Sequence, residues 1–176
     1  VDVGEAGGAC DGENGCIISS VKKAIKTLAL YGGTMNAKVT QIDINSKYID
    51  DVISLGDENK ATLGLFPKEA YRESASKKRI IVAVDENTGK LAGYLLFSVS
   101  RKKMIVSIVH MCIASSYRGN GISRLLFEKL TDLTKEGYLR VRVRCRVDYS
   151  ANKMWPKLGF VFVREMDGRG KQGTKL

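Results

Sequence analysis

Residues 116–126 read SYRGNGISRLL and join a long apolar run to a stretch with helical periodicity. Gly119 and Gly121 let the backbone bend sharply and approach a ligand without obstruction by side chains. Successive N–H groups and the positive end of the helix dipole then face outward, and Arg118 adds a positive charge. The stretch therefore predicts a turn that holds a phosphate or pyrophosphate group.

The same residues exclude two common nucleotide-binding motifs. The dinucleotide fingerprint of Rossmann folds needs a third glycine at the right spacing after Gly121, and the sequence has none there. A Walker A loop needs Gly-Lys followed by Ser or Thr, which is also missing. The six residues 118–123, RGNGIS, instead fit the pattern Gln/Arg-x-x-Gly-x-Gly/Ala, with Ser123 as a small residue at the last position.

That pattern is similar to the acetyl-CoA-binding turn of the GNAT superfamily of N-acetyltransferases, and a second segment strengthens the resemblance. Residues 148–160, DYSANKMWPKLGF, resemble the family pattern Asn/Asp-x-x-Ala-x-x-x-Tyr-x-x-x-Gly-Phe. Trp155 stands where the family has a tyrosine that often protonates the departing thiolate, and an indole N–H is not an acid of that kind. The matching residues are Asp148, Ala151, Gly159 and Phe160.

The resemblance implies an enzyme that moves an acetyl group from acetyl-CoA to a primary amine of a small molecule, a protein or an aminoacyl-tRNA. Residues 144–149, with Trp155 and Pro156, also resemble bacterial GNAT domains found next to a PIN-type nuclease domain. The alternative, favoured by the tryptophan, is a module of this fold that has lost turnover and binds CoA or an anionic partner such as RNA. The residues that the resemblance assigns to acetyl-CoA binding are Cys112, Ile113, Arg118, Gly119, Asn120, Gly121, Ile122, Ser123, Ala151 and Trp155.

His110 is the single histidine of the chain and lies three residues before the end of the apolar strand that leads into the turn. An ordinary pKa near 6.5 suits an imidazole to proton transfer, directly or through water. A histidine hydrogen-bonded within the core is the other interpretation. Cys145 and Tyr149 lie near the expected position of the thiol, and His110 and Tyr149 are named as the catalytic candidates.

The predicted elements follow the order β-α-α-β-β-β-α-β-α-β, an α/β fold with a GNAT-like mixed central sheet flanked by helices. The strands are expected at Lys38–Ile44, Arg79–Val84, Lys90–Ser98, Met104–Ile113, Leu139–Val147 and Phe160–Arg164. The helices are expected at Ser46–Leu55 with Ser46 as cap, Pro67–Ser76, Gly121–Glu136 and Ser150–Leu158. The terminal strand of a GNAT sheet is expected to be missing or supplied by a partner, because few residues follow Arg164.

Two segments are predicted from composition. Residues 1–34 are expected to be a disordered tail or a non-native extension, because the first 15 residues are rich in glycine and poor in apolar side chains. A short amphipathic helix is expected at Ile17–Tyr31 within that segment. Residues 35–176 form the predicted acetyltransferase domain.

Cysteine spacing and hydropathy limit the remaining functions. The cysteines match no paired zinc motif and the chain has one histidine, so no metal site is expected. No apolar run reaches the roughly 20 residues needed to cross a bilayer, so no membrane partner is expected. A reducing cytoplasm is the simplest location. The four cysteines are Cys10, Cys16, Cys112 and Cys145.

The positive charge of the chain is concentrated in its C-terminal part. The formal net charge is +10, and residues 101–176 hold 17 basic and six acidic residues. A field of this sign favours anionic partners, among them a phosphorylated cofactor or nucleic acid. Four arginines, Arg140, Arg142, Arg144 and Arg146, alternate with apolar residues, which predicts a strand with guanidinium groups on one face. That face meets either water or an anionic acceptor such as RNA.

Overall fold

The computed structural model describes residues 16–17, 36–135, 137–138, 140–146 and 148–165. Its strands are β1 (Cys16–Ile17), β2 (Ala37–Ile42), β3 (Ile80–Asp85), β4 (Leu91–Ser100), β5 (Ile105–Ile113) and β6 (Arg140–Val143). Its helices are α1 (Ile49–Glu58), α2 (Lys60–Leu63), α3 (Lys68–Ser76) and α4 (Ile122–Thr134). Short 3-10 turns cover Ser115–Tyr117, Ser150–Lys153 and Pro156–Leu158.

The strands form one sheet in the order β1-β6-β5-β4-β3-β2. Neighbouring strands are antiparallel, except for β5 and β6, which run parallel. A parallel pair needs a long crossover connection, and α4 lies within it. This mixed sheet with flanking helices confirms the predicted fold class.

Apolar side chains form a core on each face of the sheet. Leu126 and Leu130 of α4 are fully buried in the first core, together with Val106 and Val141 of the sheet. The second core lies under α1 and α3 and includes Tyr71. Because both faces are covered, all six residues of β3 are buried, as is typical of an inner strand of an α/β sheet.

An irregularity between β4 and β5 decides which core receives each side chain of β5. Leu96 lies opposite His110, whereas the next residue, Phe97, lies opposite Ile108. Val109 is therefore an extra residue in β5, a β-bulge that interrupts the alternation of side chains. As a result Ile108 belongs to the core under α4, whereas His110 contacts the aromatic residues of the other core.

The strands β5 and β6 separate before β5 ends. Their pairing runs from Ile105 opposite Arg140 to Ile108 opposite Val143, but β5 continues to Ile113. Residues 109–113 therefore have no β6 partner among the described residues. This open edge of β5 leads directly to the glycine-containing turn.

The early elements were predicted to within a few residues, and the first helix differs at its start. It begins at Ile49 after Tyr48, and no side chain caps it, so the prediction of Ser46 as cap is wrong. The hydroxyl of Ser46 instead accepts a hydrogen bond from the Tyr48 N–H at 3.4 Å. The short helix α2 was not predicted.

The elements after α4 differ more from the prediction. The strand predicted at Leu139–Val147 is shortened to Arg140–Val143, and the predicted helix Ser150–Leu158 consists of two 3-10 turns. Pro156 occupies the first turn of the second, where its missing N–H costs nothing, but it cannot continue a preceding helix. The strand predicted at Phe160–Arg164 is wrong, because only Val161 makes an isolated bridge.

The N-terminal segment differs from expectation at its two described residues. Cys16 and Ile17 pair with Val143 and Arg142 on the outer side of β6. The rest of the helix predicted at Ile17–Tyr31, the other residues of 1–34 and residues 166–176 lie outside the described residues.

Candidate functional site

The glycine-containing turn has the conformation that its sequence predicts. Gly119 and Gly121 have φ angles of 84° and 74°, in the left-handed region that favours glycine. A Cβ atom at either position would meet nothing within 4 Å, so open space lies beside the backbone. Gly121 precedes α4 without a side-chain cap, and the hydrogen bonds of the first turn begin at Arg124 N–H. Among the described residues, this leaves the amides of Ile122 and Ser123 without a backbone acceptor.

Arg118 connects three parts of the site. Its Nε donates a hydrogen bond to the Ile113 carbonyl at 3.2 Å, at the end of β5. Its Nη2 donates to Asn59 Oδ1 at 3.4 Å, just after α1. The guanidinium is exposed and lies across the open end of β5, so its charge is held near the turn.

A buried carboxylate holds the start of the turn in place. Asp85 Oδ2 accepts hydrogen bonds from Thr88 Oγ1 at 2.7 Å and from the Tyr117 hydroxyl at 3.2 Å, and Asp85 Oδ1 accepts one from Asn87 N–H at 3.0 Å. The bond from Thr88, followed by the others, lowers the pKa of the Asp85 carboxyl. Asp85 thus ties the turn that connects β3 and β4 to the 3-10 turn before Arg118.

Because of Asp85, the free energy of unfolding is expected to depend on pH. Asp85→Asn is expected to lower the free energy of unfolding at pH 7, because a neutral amide accepts these bonds less strongly. Since folding lowers the pKa of Asp85, its contribution is present at neutral pH and is lost as the pH falls below about 4. Urea unfolding from pH 7 to pH 3 should show the two proteins converging. Glu86→Gln, at an exposed neighbour, is the control, and a difference that stays constant with pH would contradict the assignment.

The open edge of β5 carries two of the residues predicted to bind acetyl-CoA. Cys112 is buried, and Ile113 is half-buried. Burial raises the pKa of the Cys112 thiol to about 11, so it is a thiol rather than a thiolate at neutral pH. A reactive-cysteine role for its side chain is therefore not supported, which leaves the backbone of Cys112 for the contact predicted with acetyl-CoA.

His110 lies in a cluster of buried aromatic residues. Its Nδ1 is 3.3 Å from the hydroxyl oxygen of Tyr71 and 3.3 Å from that of Tyr94, and these two oxygens are 3.1 Å apart. The Phe66 ring packs edge-on against the imidazole with 5.0 Å between ring centroids. Burial lowers the pKa of His110, so the neutral imidazole is favoured at pH 7.

The second predicted segment places Trp155 in the core under α4. Trp155 is 6% exposed and packs edge-on against Phe160, with ring centroids 5.2 Å apart. Its Nε1 is the one buried side-chain nitrogen or oxygen without a hydrogen-bond partner in the described part of the chain. A buried donor of this kind is uncommon in folded proteins.

Tyr149 directly precedes the 3-10 turn Ser150–Lys153, and Ala151 lies within that turn. The Tyr149 hydroxyl donates a hydrogen bond to the Ala61 carbonyl of α2 at 3.2 Å. The Tyr149 ring also lies under the Arg146 guanidinium, 4.6 Å away. Among the described residues no hydrogen bond joins Tyr149 to His110, the other catalytic candidate.

The predicted row of four arginines is only partly a strand face. Because β6 ends at Val143, Arg144 and Arg146 lie beyond it. Arg142 donates a hydrogen bond to Ser107 Oγ at 2.7 Å across the parallel pair. Arg146 forms an ion pair with Asp148 at 2.7 Å. The prediction that all four guanidinium groups lie on one face of a strand is therefore wrong.

The residues that surround His110 are not predicted by any motif in the sequence. Tyr71 lies on α3 and Tyr94 on β4, 39 and 16 positions before the histidine. No local pattern connects residues so far apart. The available signals were a tyrosine inside each element and a glycine, Gly56, inside the amphipathic helix α1.

The described residues add two negative findings. No group of three or more His, Cys, Asp or Glu side chains that could hold a metal ion occurs among them. None of the helices they form has the length and apolar character that a membrane span requires.

Comparisons with known proteins agree with this geometry. Residues 52–172 match the family described as acetyltransferase (GNAT) domain. No curated protein matches the sequence. The solved structures that resemble the fold are 12–20% identical to this chain, so their likeness concerns the fold alone.

Three of these solved structures illustrate the range. The NatC complex bound to Gag peptide and CoA has a TM-score of 0.67 at 20% identity, covering 80% of this chain and 94% of that chain. Ard1 from Thermoplasma volcanium has a TM-score of 0.66 at 17% identity, covering 79% and 92%. N-acetylglutamate synthase from Neisseria gonorrhoeae, complexed with coenzyme A and N-acetyl-glutamate, has a TM-score of 0.60 at 12% identity. The match covers 75% of this chain but only 28% of that larger chain.

Proposed function

The chain belongs to the GNAT acetyltransferase family and takes its acyl group from acetyl-CoA, and on that premise we propose that it acetylates a primary amine. The observation that carries the proposal is the uncapped turn at Gly119 and Gly121 beside the open edge of β5. Helix dipole and free amides suit the pyrophosphate of CoA. The unpaired edge of β5 suits the amide groups of its pantetheine arm.

Each predicted residue then has a proposed part in binding the donor. The backbone of residues 119–123 holds the phosphates, with Arg118 adding charge. The backbone at Cys112 and Ile113 pairs with the pantetheine arm and the thioester carbonyl. Ala151 lies in the 3-10 turn before Trp155. The Trp155 N–H, which has no hydrogen-bond partner among the described residues, is the proposed donor to an acceptor atom of the same ligand.

The chemistry requires little more than correct placement. Acetyl transfer needs a neutral amine held against the thioester carbonyl, and positioning can lower the barrier by roughly 7–11 kcal/mol. A general acid or base adds about 10²–10⁴-fold. His110 is the proposed group of the active site that exchanges a proton or hydrogen bond with the reactants, and Tyr149 is the second candidate.

The acceptor is proposed only as a class. The NatC structure contains a Gag peptide, whereas the N-acetylglutamate synthase structure contains N-acetyl-glutamate. The same fold therefore holds ligands of very different size in those structures. Small amines, protein amines and aminoacyl-tRNA all remain within the proposed class for this chain.

Two successive measurements test the proposal. Isothermal titration should detect acetyl-CoA binding, and a thiol-release assay over small amines, peptides and aminoacyl-tRNA should detect turnover with at least one acceptor. Binding without turnover across the panel would favour a module that keeps CoA but has lost catalysis. Absence of acetyl-CoA binding would refute the proposed function.

Trp155 gives a separate prediction for donor binding. Trp155→Phe is expected to raise the Kd of acetyl-CoA about threefold to tenfold, the range expected for one lost neutral hydrogen bond. Because Trp155 is the only tryptophan of the chain, its fluorescence should also change when acetyl-CoA binds to the unsubstituted protein.

Phe160→Leu is the matched control for this prediction. It removes the ring that packs against Trp155 but leaves the indole N–H in place. We expect it to lower the melting temperature while the Kd changes little. An unchanged Kd in folded Trp155→Phe would show that the indole N–H does not meet the donor.

A further inference from the structure

Three polar atoms form a closed triangle in the core under α1 and α3. They are the hydroxyl oxygens of Tyr71 and Tyr94 and the Nδ1 of His110, separated by 3.1, 3.3 and 3.3 Å. Tyr71 is 1%, Tyr94 0% and His110 4% exposed. None of the three side chains makes another hydrogen bond within the described part of the chain.

The hydrogens available to this triangle determine where the imidazole proton lies. Each tyrosine hydroxyl carries one hydrogen, and both hydroxyls are deeply buried. If Nδ1 has a free lone pair, one hydroxyl donates to Nδ1 and the other donates to its neighbour, so both hydrogens are used. If Nδ1 carries the proton, the Nδ1–H donates to one hydroxyl oxygen, and that hydroxyl donates to the other. The hydrogen of the second hydroxyl then has no acceptor in the triangle, because Nδ1 has no free lone pair. A buried donor without a partner carries the full cost of its desolvation.

We infer that Tyr71 and Tyr94 fix His110 as the tautomer protonated at Nε2, so that His110 offers the active site a hydrogen-bond donor rather than a base. Its Nε2 makes no hydrogen bond among the described residues, and it is not among their fully buried side-chain atoms that lack a partner, so it keeps contact with solvent and an Nε2 proton need not go unpaired. The atoms that it suits are those on which negative charge develops during acyl transfer. The catalytic part of this inference rests on the proposed function, whereas the tautomer does not.

Gly56 of α1 shows that the fold makes room for the two hydroxyls. A Cβ atom at this position would lie 2.0 Å from the Tyr71 hydroxyl oxygen and 3.0 Å from that of Tyr94. Glycine is unfavourable inside a helix, and the φ angle here is not in the left-handed region, so space is the reason for it. Glycine at residue 56 therefore leaves the space that the two hydroxyl groups beside His110 occupy.

The protonation state favours the same description. Burial lowers the pKa of His110, and burial also raises the pKa values of Tyr71 and Tyr94. At neutral pH the cluster thus consists of one neutral imidazole and two neutral phenols. Only the position of the imidazole proton is left to be decided, and hydrogen-bond accounting decides it.

The tautomer can be observed directly because the chain has one histidine. Two-bond ¹H–¹⁵N correlation spectra of untagged, ¹⁵N-labelled protein at pH 8 should show an unprotonated Nδ1 and a protonated Nε2. In Tyr71→Phe and Tyr94→Phe, which keep the rings, the Nδ1 resonance should move toward that of a nitrogen without a hydrogen-bond partner. A protonated Nδ1 in the unsubstituted protein would overturn the inference, as would an Nδ1 resonance that neither variant changes.

Activity tests the donor role. The amide nitrogen of His110→Gln can donate from the place of Nε2, but glutamine cannot act as a base at neutral pH. We expect kcat of His110→Gln to lie within about tenfold of the unsubstituted enzyme and well above that of His110→Ala. Equal losses in the two variants would overturn the donor role. The spectra need neither acetyl-CoA nor an acceptor, so a protein without turnover would refute the proposed function while the tautomer is still decided.

Discussion

His110→Ala is expected to lower kcat about 100-fold or more while the Kd of acetyl-CoA changes little. The imidazole lies on the face of β5 that turns toward α3, with its Nδ1 held by two hydroxyls. The donor, by contrast, is proposed to lie along the β5 edge and the glycine-containing turn. Steady-state kinetics with an accepted amine, together with titration of acetyl-CoA, separate the two quantities.

Leu96→Val is the control for this experiment. Leu96 lies directly opposite His110 on β4 and is 2% exposed, so its truncation disturbs the same core without removing a polar group. We expect it to lower the melting temperature while kcat stays within about threefold, because deletion of one methylene costs packing alone. Retention of kcat in His110→Ala with a similar fall in melting temperature would identify His110 as a structural residue of the core.

Gly121→Val is expected to raise the Kd of acetyl-CoA at least tenfold, equivalent to about 1.4 kcal/mol. The φ angle of 74° costs a β-branched residue about 1–2 kcal/mol or displaces the turn. The branched side chain would also fill the open space beside the backbone, through which a phosphate group has to approach. Both effects weaken binding of the donor rather than the chemical step.

Gly137→Val is the control for this prediction, because it introduces the same kind of backbone strain away from the turn at Gly119 and Gly121. Gly137 also has a positive φ angle and open space around it, but it lies beyond the other end of α4. Its substitution should lower stability without changing the Kd of acetyl-CoA. Unchanged affinity in a folded Gly121→Val protein would remove the donor-binding role of the turn.

The turn and the histidine are connected through the backbone of β5. His110 lies within the strand, and Ile113 at its end accepts a hydrogen bond from Arg118 of the turn. Asp85 and Tyr117 fix the start of the same turn to the end of β3. Substitutions at these positions are therefore expected to affect donor binding through the geometry of the turn.

Much of the fold was predictable because its determinants are local. The alternation of apolar residues indicates strands, and spacing of three to four residues indicates α1, α3 and α4. The left-handed glycines of the turn are also a local property, since few other residues adopt that conformation. For the same reason, the glycine-containing turn could be placed between β5 and α4 from residues 116–126 alone.

The end of the chain was less predictable because local patterns compete there. Arg140–Arg146 alternates as a strand should, but only the part that pairs with β5 becomes β6. An exposed alternating segment gains little from strand geometry without a neighbour to complete its hydrogen bonds. The pairing of Cys16 with Val143 joins residues 127 positions apart, and no pattern in the sequence connects them.

The sequence by itself determined the fold class, the glycine-containing turn between β5 and α4, and the presence of a single histidine near the end of β5. The tertiary structure alone decided the surroundings of that histidine, because they come from four separate elements. A single extra residue at Val109 turns His110 away from the α4 core, while α3 and β4 supply the tyrosines and Gly56 of α1 leaves them room. Local periodicity selects helices and strands. The partners of the imidazole depend instead on strand register and on packing across the sheet, which join residues far apart in the chain.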